Sequence, residues 1–227
     1  MDRFQIGAAE PQQRFSLANS TSVRSRAYCL PAYIKFQGVE MPEIQLATVL
    51  PGAIPFKDGN VNETFKGQIL LSDRSVKSAI IKDLDLKQLS NELLATVLAR
   101  GAGLPIPDGY LGIVRGNDLI VSKGPRTEEG YRLVFASVDV KTPNITFRVI
   151  SSKPDEKIQL LRDILDWGDL GHLYAFDAWI ANTDRHPGNL LFGGQNQIWL
   201  IDHGHCFSGP SWQSQDLDPN GDFRNRL

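Results

Sequence analysis

The sequence predicts an α+β fold, in which a strand-rich half comes first and a mainly helical part follows. Runs of β-forming residues begin at Phe65, one helical repeat of leucines interrupts them, and helical segments dominate from residue 142. At 227 residues the chain can bury a substantial core, as one domain or as two small lobes.

The first sixty residues carry the weakest structural signal. Residues 1–25 are rich in Gln, Ser, Ala and Asn, a composition typical of loosely packed segments. Between residues 38 and 62, three prolines and several glycines separate short apolar stretches. We therefore expect residues 1–60 to form an N-terminal arm or irregular extension, with a small edge strand over the core as the alternative.

The strand-rich half begins with a predicted β-hairpin. Residues 65–71 and 76–82 are rich in β-forming residues, and the polar turn Ser72-Asp-Arg-Ser75 separates them. A helix is predicted over 83–100, ended by Gly101-Ala-Gly103. Its apolar residues recur at helical spacing and are Leu86, Leu89, Leu93 and Val97.

The remaining elements divide at residue 142. Further strands are predicted over residues 110–114, 119–122 and 133–138. Two helices are predicted after residue 142, over 155–166 and 169–181. We expect Asp177 to lie on the exposed surface of the second helix, although it could instead brace the loop that follows.

The most informative segment runs from Trp179 to His205. Its apolar runs 190–192 and 198–201 flank a turn-forming stretch and predict a second hairpin. Asn189 precedes the first strand and Asp202 follows the second, so the two residues should lie side by side. Asp184 lies five residues before Asn189 in a Pro-Gly loop, and all three side chains can converge.

This set of an acid, an amide and a second acid predicts a phosphoryl-transfer site. Asp184 would accept or orient the proton of the attacking hydroxyl. Asn189 and Asp202 supply the oxygen ligands that Mg²⁺ prefers. The alternative for each acid alone is structural: Asp184 would cap a turn and Asp202 would end a strand.

Two loops in this segment resemble those of the atypical kinases. Asp184-Arg-His-Pro-Gly-Asn189 and Ile201-Asp-His-Gly-His205 are similar to the catalytic and metal-binding loops of two groups. These are the phosphatidylinositol 3-/4-kinases, with D-R-H-x-x-N and D-F-G-H, and the bacterial HipA-like kinases, with D-x-H-x-x-N. The HipA-like group is the more similar, given the chain length and the preceding Asp177-Ala-Trp-Ile-Ala-Asn182.

The resemblance is specific over residues 175–207, looser over 65–140 and absent in the first fifty residues. It implies a two-lobed atypical protein-kinase-like fold. The nucleotide-binding N-lobe, an antiparallel sheet plus a helix, would span residues 61–141. A small, mainly helical catalytic C-lobe would span residues 142–227.

Lys82 and Glu92 are the expected nucleotide-binding pair. Lys82 ends Ala79-Ile-Ile-Lys82, which is similar to the V-A-I-K of protein kinases, where the lysine holds the α- and β-phosphates of ATP. Glu92 lies at the border of the apolar face of its helix and would orient Lys82. The alternatives are an exposed lysine at a strand end, with Lys77 as a rival on the opposite face, and an exposed glutamate.

The turn with Ser72 and Ser75 departs from the protein-kinase pattern, because it lacks the glycines of G-x-G-x-x-G. Its backbone amides and both hydroxyls are nevertheless expected to bind phosphate, with an ordinary hairpin turn as the alternative. In HipA-like kinases the phosphate loop can carry a regulatory autophosphorylation site. The resemblance therefore suggests Ser72 or Ser75 as such a site.

Arg185 and His205 complete the predicted catalytic set. Arg185 would stabilise phosphate charge or pair structurally with a nearby acid. His205 matches the last residue of D-F-G-H, where a histidine assists proton transfer or contacts the γ-phosphate. His203 replaces the phenylalanine of that motif.

The resemblance implies an ATP- and Mg²⁺-dependent kinase that phosphorylates Ser or Thr of a protein. As in several HipA-like kinases, the chain would be the toxin of a toxin–antitoxin module, with an antitoxin or regulatory partner. Other kinase-related functions stay open: a phosphatidylinositol-type or small-molecule kinase, a pseudokinase and an AMP transferase. A metal-dependent hydrolase is a further alternative, and its candidate ligands are Asp184, His186, Asp202, His203, His205 and Cys206.

Composition limits the partners and the compartment. A net charge of -2 argues against a broad nucleic-acid-binding surface. No apolar run approaches the roughly 20 residues of a transmembrane helix, and two cysteines give no disulfide framework. We therefore expect a soluble cytoplasmic protein, and the resemblance to HipA-like kinases implies that its substrate is a protein.

Overall fold

The fold was analysed in a computed structural model, which describes residues 42–56, 62–116, 118–193 and 197–217. Most of the predicted arm lies outside these residues. The elements in chain order are β1 (Gln45–Val49), β2 (Ile54–Pro55), β3 (Thr64–Leu71), β4 (Val76–Lys82), α1 (Leu86–Gly101), β5 (Gly109–Val114), β6 (Arg132–Val138), α2 (Ile145–Ser151), α3 (Pro154–Leu165), α4 (Leu170–Trp179), β7 (Leu190–Phe192) and β8 (Ile198–Leu200). The predicted α+β class is confirmed.

Within the described residues, five strands close into a barrel. Their order is β1-β5-β6-β4-β3, and β3 pairs back to β1, while β2 adds to β3. The β1–β5 pairing is parallel and the others are antiparallel. The prediction of an antiparallel sheet is therefore corrected: the sheet is closed, and one of its pairings is parallel.

Strand β1 accounts for both corrections. It lies in the stretch expected to form an arm or an edge strand, yet it pairs on both sides and has no free edge. Ala47 and Val49 are buried inside the barrel, so the strand also contributes to the core. The domain boundary expected at residue 61 stays a prediction.

The hairpin of β3 and β4 forms as predicted, with Leu70 opposite Val76 and Thr64 opposite Lys82. Alternation along β4 buries Ala79 and Ile81 among the apolar side chains of the barrel. Lys82, one residue further along, therefore points to the opposite face of the strand. That face is covered by α1. Its residues Ala95 and Ala99 belong to a second apolar core, which is separate from the barrel interior and includes residues of α4 and of the β7–β8 hairpin.

The predicted strand over 119–122 is wrong. Leu119 and Val121 are buried and Ile120 is exposed, so the side chains alternate as in a strand, but the described residues form no pairing here. The backbone is held instead by the fully buried carboxylate of Asp83. It accepts hydrogen bonds from the backbone N–H groups of residues 122–124 at 2.6 to 3.1 Å.

Two helices and one hairpin of the second half form as predicted. Helices α3 and α4 and the hairpin of β7 and β8 lie within one or two residues of their predicted bounds. Helix α2 was not predicted, because its sequence Ile-Thr-Phe-Arg-Val-Ile is rich in β-branched residues. Its N-cap explains its start: the Asn144 side chain accepts a hydrogen bond from the N–H of Phe147 at 2.7 Å.

The helices of the described ranges are short. None of them is long and apolar enough to cross a membrane.

Candidate functional site

A cleft of about 530 Å³ lies between the barrel and the helical part. One side is formed by the end of β4, by α1 and by the connection after β6, and the other by the loops around β7 and β8. The predicted site residues that line it are Lys82, Glu92, Asp184, Asn189, Asp202 and His205. Arg185, Ser72 and Ser75 lie elsewhere.

Lys82 joins the two sides of the cleft. Its Nζ lies 2.6 Å from Glu92 Oε1 and 2.9 Å from Asp202 Oδ1. Burial opposes the charged form, but the Asp202 and Glu92 carboxylates raise the pKa of the Lys82 ammonium above its ordinary value. Lys82 is therefore a fixed cation, and it holds an acid from each side of the cleft.

Glu92 has a second partner beyond Lys82. Its Oε2 accepts a hydrogen bond from the N–H of His203 at 3.0 Å. The carboxylate is almost fully buried, so both of its oxygens are used where solvent cannot replace a lost partner. The Glu92 side chain of α1 thus holds both Lys82 and the backbone of His203, the residue after Asp202.

The β7–β8 hairpin places Asn189 and Asp202 together, as its sequence indicated. Leu190 pairs with Leu200, and the next pair is closed by a hydrogen bond from the N–H of Ile201 to the carbonyl of Asn189 at 3.1 Å. Asp202 follows with φ +64°, a left-handed conformation that Asp tolerates better than most residues. Lys82 lowers the pKa of the Asp202 carboxyl against the effect of burial, so it is ionised near neutral pH.

Asp184 and His205 face each other across the cleft opening. His205 Nδ1 lies 4.0 Å from Asp184 Oδ2, and both side chains are about one-third exposed. The carbonyl of His205 accepts hydrogen bonds from Thr183, from the N–H at 3.2 Å and from Oγ1 at 3.0 Å. Asn189 Nδ2 donates to the Asp184 carbonyl at 2.8 Å. The loop bearing Asp184 is thus hydrogen-bonded to the segments bearing His205 and Asn189.

Arg185 lies in the core with a fully buried side chain. Its Nε donates to Asp177 Oδ2 at 2.9 Å, and its Nη1 donates to the carbonyls of Asn189 and Ile201 at 2.8 and 3.0 Å. This geometry matches the structural pairing that was one of its two expected roles. The guanidinium does not line the cleft.

His203 completes the Arg185 cluster. Its Nε2 lies 2.8 Å from Arg185 Nη2. Burial, together with Arg185 and Lys82, lowers the pKa of the His203 imidazole well below its ordinary value, so the ring is neutral and Nε2 can accept from Arg185. The position that holds phenylalanine in D-F-G-H therefore carries a hydrogen-bonding ring in this chain.

Sequence reasoning missed Asp177 and Asn182 in this cluster. Asp177 was expected on the helix surface, which is wrong: its side chain is fully buried and also accepts from Asn182 Nδ2 at 2.9 Å. The available signal was an acid flanked by Phe176, Ala178 and Trp179. An acid among buried apolar residues needs a partner, and Arg185 is the nearest arginine in the following loop.

Ser72 and Ser75 lie at the far end of β4 from Lys82. Six residue steps along that strand correspond to roughly 20 Å. The Ser75 hydroxyl and N–H both donate to Asp73 Oδ1, at 2.6 and 2.8 Å, as in an ordinary polar turn. The barrel end at the cleft instead presents Phe56 and Asn62, from the connection between β2 and β3.

The cleft presents oxygen donors of the kind that Mg²⁺ prefers. Asp202 offers a carboxylate, and the amide oxygen of Asn189 is a second hard ligand. Among the described residues, no group of three or more His, Cys, Asp and Glu side chains could hold a metal ion. Burial also raises the pKa of the Cys206 thiol well above its ordinary value, which disfavours the thiolate that a soft metal needs.

Comparison with known proteins places the chain in a family. The model of a family described as HipA-like kinase matches residues 75–218, which is 144 of the 227 residues. No curated protein matches the chain. The matched range begins at the last residue of the β3–β4 turn and contains every cleft residue named as a predicted site residue. The chain therefore belongs to the HipA-like kinase family, a family of phosphotransferases.

Proposed function

We propose that the protein is an ATP- and Mg²⁺-dependent kinase that phosphorylates serine or threonine in a protein. The observation that carries this proposal is the contact of Lys82 with Glu92 and Asp202 inside the cleft, at 2.6 and 2.9 Å. In protein kinases, phosphoryl transfer from ATP requires a lysine–glutamate ion pair of this kind and an acid that binds Mg²⁺ beside it. Membership of the HipA-like kinase family supports the same chemistry.

In this proposal the chain has the two-lobed kinase-like architecture. The barrel with α1 is the N-lobe, and the elements from α2 onward form the C-lobe. ATP lies in the cleft between them, with its phosphates at Lys82. Asp202 and Asn189 would hold Mg²⁺, which would neutralise phosphate charge.

The side chains of the C-lobe act on the acceptor hydroxyl. Asp184 takes its proton as the hydroxyl oxygen bonds to the γ-phosphorus and the bond to the bridging oxygen of ADP breaks. His205, 4.0 Å from Asp184, orients that carboxylate or contacts the γ-phosphate. Arg185 positions the loop from the core.

The acceptor and the biological role are further parts of the proposal. The family suggests a protein acceptor in the cytoplasm and a toxin that an antitoxin restrains. Phosphatidylinositol kinases share the D-R-H-x-x-N pattern, so a lipid acceptor is the main competing substrate. AMP transfer is the competing reaction from the same donor: the acceptor oxygen would bond to the α-phosphorus, and pyrophosphate would leave.

The test is a comparison of cells that express the wild type or Asp184→Asn. We expect new phosphoserine or phosphothreonine sites, and any growth defect, only with the wild type. Loss of the carboxylate should slow transfer by roughly 10²–10⁴-fold. The proposal fails if the two phosphoproteomes are identical, and acceptor hydroxyls that carry AMP in place of a phosphate monoester would indicate AMP transfer instead.

A further inference from the structure

Asn91 occupies an unusual position on α1, one residue before Glu92. Its side chain is almost fully buried, and its Nδ2 donates to three carbonyls of one segment: Gly204 at 2.8 Å, Cys206 at 3.1 Å and Gly209 at 3.3 Å. Its Oδ1 accepts from Trp212 Nε1 at 3.0 Å. A single amide therefore ties α1 to most of the segment 204–212, which follows Asp202.

Lys87 adds a second attachment one turn earlier on α1. Its Nζ donates to the carbonyl of Trp212 at 2.6 Å and lies 5.5 Å from the centre of the indole ring. Lys87 and Asn91 are four residues apart, so they share one face of the helix. The indole of Trp212 is thus held by both residues.

The carbonyls of this segment alternate between two partners. Those of Gly204 and Cys206 accept from Asn91, whereas that of His205, between them, accepts from Thr183. The backbone around His205 is therefore fixed between α1 and the residue that precedes Asp184. The position of His205 depends on both attachments.

We propose that Asn91 and Trp212 are positioning residues, which hold α1 and the segment 203–212 as one unit and so align the cleft acids with His205. The inference rests on the proposed kinase function. Loss of the Asn91 amide would remove the donor to the carbonyls of Gly204 and Gly209, while the Cys206 carbonyl would keep the N–H of Gly209 at 3.2 Å. The side chains of Lys82, Asp184, Asn189 and Asp202 would stay chemically unchanged. Misalignment should lower turnover more than nucleotide binding, because binding tolerates small displacements that the transfer step does not.

The test uses Asn91→Ala and Trp212→Phe, which keeps the ring beside Lys87 but removes the N–H donor. The matched control is Ser90→Ala, since among the described residues the Ser90 hydroxyl bonds only to the carbonyl of Leu86 in its own helix. We expect Asn91→Ala to lower kcat by roughly 10- to 100-fold with KM for ATP changed less than about 3-fold. The control should leave both constants unchanged.

The two variants should also be coupled. They share the Trp212–Asn91 hydrogen bond, so the double variant should lose less kcat than the product of the single effects. Independent effects that multiply fully would overturn the proposal. So would a fall in thermal stability with kcat of the folded fraction unchanged.

Hydrogen exchange without nucleotide separates this inference from the kinase proposal. Asn91→Ala should raise amide exchange in both α1 and residues 203–212, whether or not the protein transfers phosphate. Faster exchange in α1 alone would overturn the positioning role. Joint exchange in a protein without any transfer activity would instead overturn only the kinase function.

Discussion

Arg185 shows how a single residue changes meaning between sequence and structure. In the motif Asp184-Arg-His it was a candidate for binding phosphate, and in the structure it is a buried partner of Asp177. Burying an arginine is costly unless its donors are all used, and this guanidinium contacts two carbonyls, a carboxylate and an imidazole. Its role is to hold the loops, and the cluster is buried on every side.

Replacement of Arg185 by alanine tests that role. Asp177 would become an uncompensated buried charge, so we expect the free energy of unfolding to fall by about 3–5 kcal/mol. Arg162→Ala, on the exposed face of α3, should change it by less than about 0.5 kcal/mol. Chemical denaturation measures both. A stable Arg185→Ala protein that had lost only ATP affinity would show that the arginine binds phosphate.

Asp83 fixes the backbone of a loop that β-propensity alone predicted to be a strand. The carboxylate organises residues 122–124 beside the end of β4, next to Lys82. We expect Asp83→Ala to lower the free energy of unfolding by at least about 2 kcal/mol, because the buried N–H of Gly124 and the partly buried N–H groups of Ser122 and Lys123 would lose their acceptor.

The neighbouring acid Asp85 is the matched control for Asp83. It is the N-cap of α1, and its side chain accepts one hydrogen bond, from the N–H of Gln88 at 2.9 Å. Asp85→Ala should cost about 1 kcal/mol, the usual loss for an N-cap. Equal costs for the two variants in urea denaturation would contradict the role given to Asp83.

The connection after β6 is tied to the barrel by an ion pair that depends on pH. Lys66 Nζ lies 2.7 Å from Asp139 Oδ2, in a contact that is an ion pair without hydrogen-bond geometry. Burial opposes ionisation of Asp139, but Lys66 and the N–H of Lys141 lower its pKa below the ordinary value. The unfolded chain therefore takes up this proton at a higher pH than the folded protein.

The stability that Asp139 contributes is accordingly present above its unfolded pKa, about 3.9, and is lost as the pH falls through the lower folded value. Wild type should exceed Asp139→Asn by up to about 1 kcal/mol at pH 7, because Lys66 is partly exposed. The difference in the free energy of unfolding should shrink as the pH falls below about 3.9. A difference in thermal unfolding that stayed constant from pH 7 to pH 2 would contradict this assignment.

At the scale of the whole molecule, local sequence predicted the hairpins and the convergence of Asn189 and Asp202, because strand pairing and turn chemistry determine both. It did not predict the barrel, since β1 pairs with β5 across more than sixty residues of chain. Such non-local pairing leaves no local pattern. The same reason hid Asn91 and Asp177, whose partners lie in distant or folded-back segments.

Ser72 and Ser75 show the opposite error. Their turn was assigned to phosphate because it precedes the strand of Lys82, but the length of β4 separates the turn from the cleft. Topology, rather than composition, decides which end of the hairpin lies at the cleft. At that end of the barrel, the described residues Phe56 and Asn62 line the cleft.

In the proposed function, Lys82 and Asp202 form one site for the phosphates and the metal of Mg-ATP. Isothermal titration of ATP into wild type and Asp202→Asn, with and without Mg²⁺, tests it without knowledge of the acceptor; asparagine also tolerates the left-handed backbone of residue 202. With Mg²⁺ we expect the wild type to bind ATP at least about 10-fold more tightly than Asp202→Asn does. Without Mg²⁺ the variant should bind as tightly as the wild type or more tightly, because Asp202 no longer competes for Lys82 or repels phosphate. Equal affinities with Mg²⁺ would contradict the account.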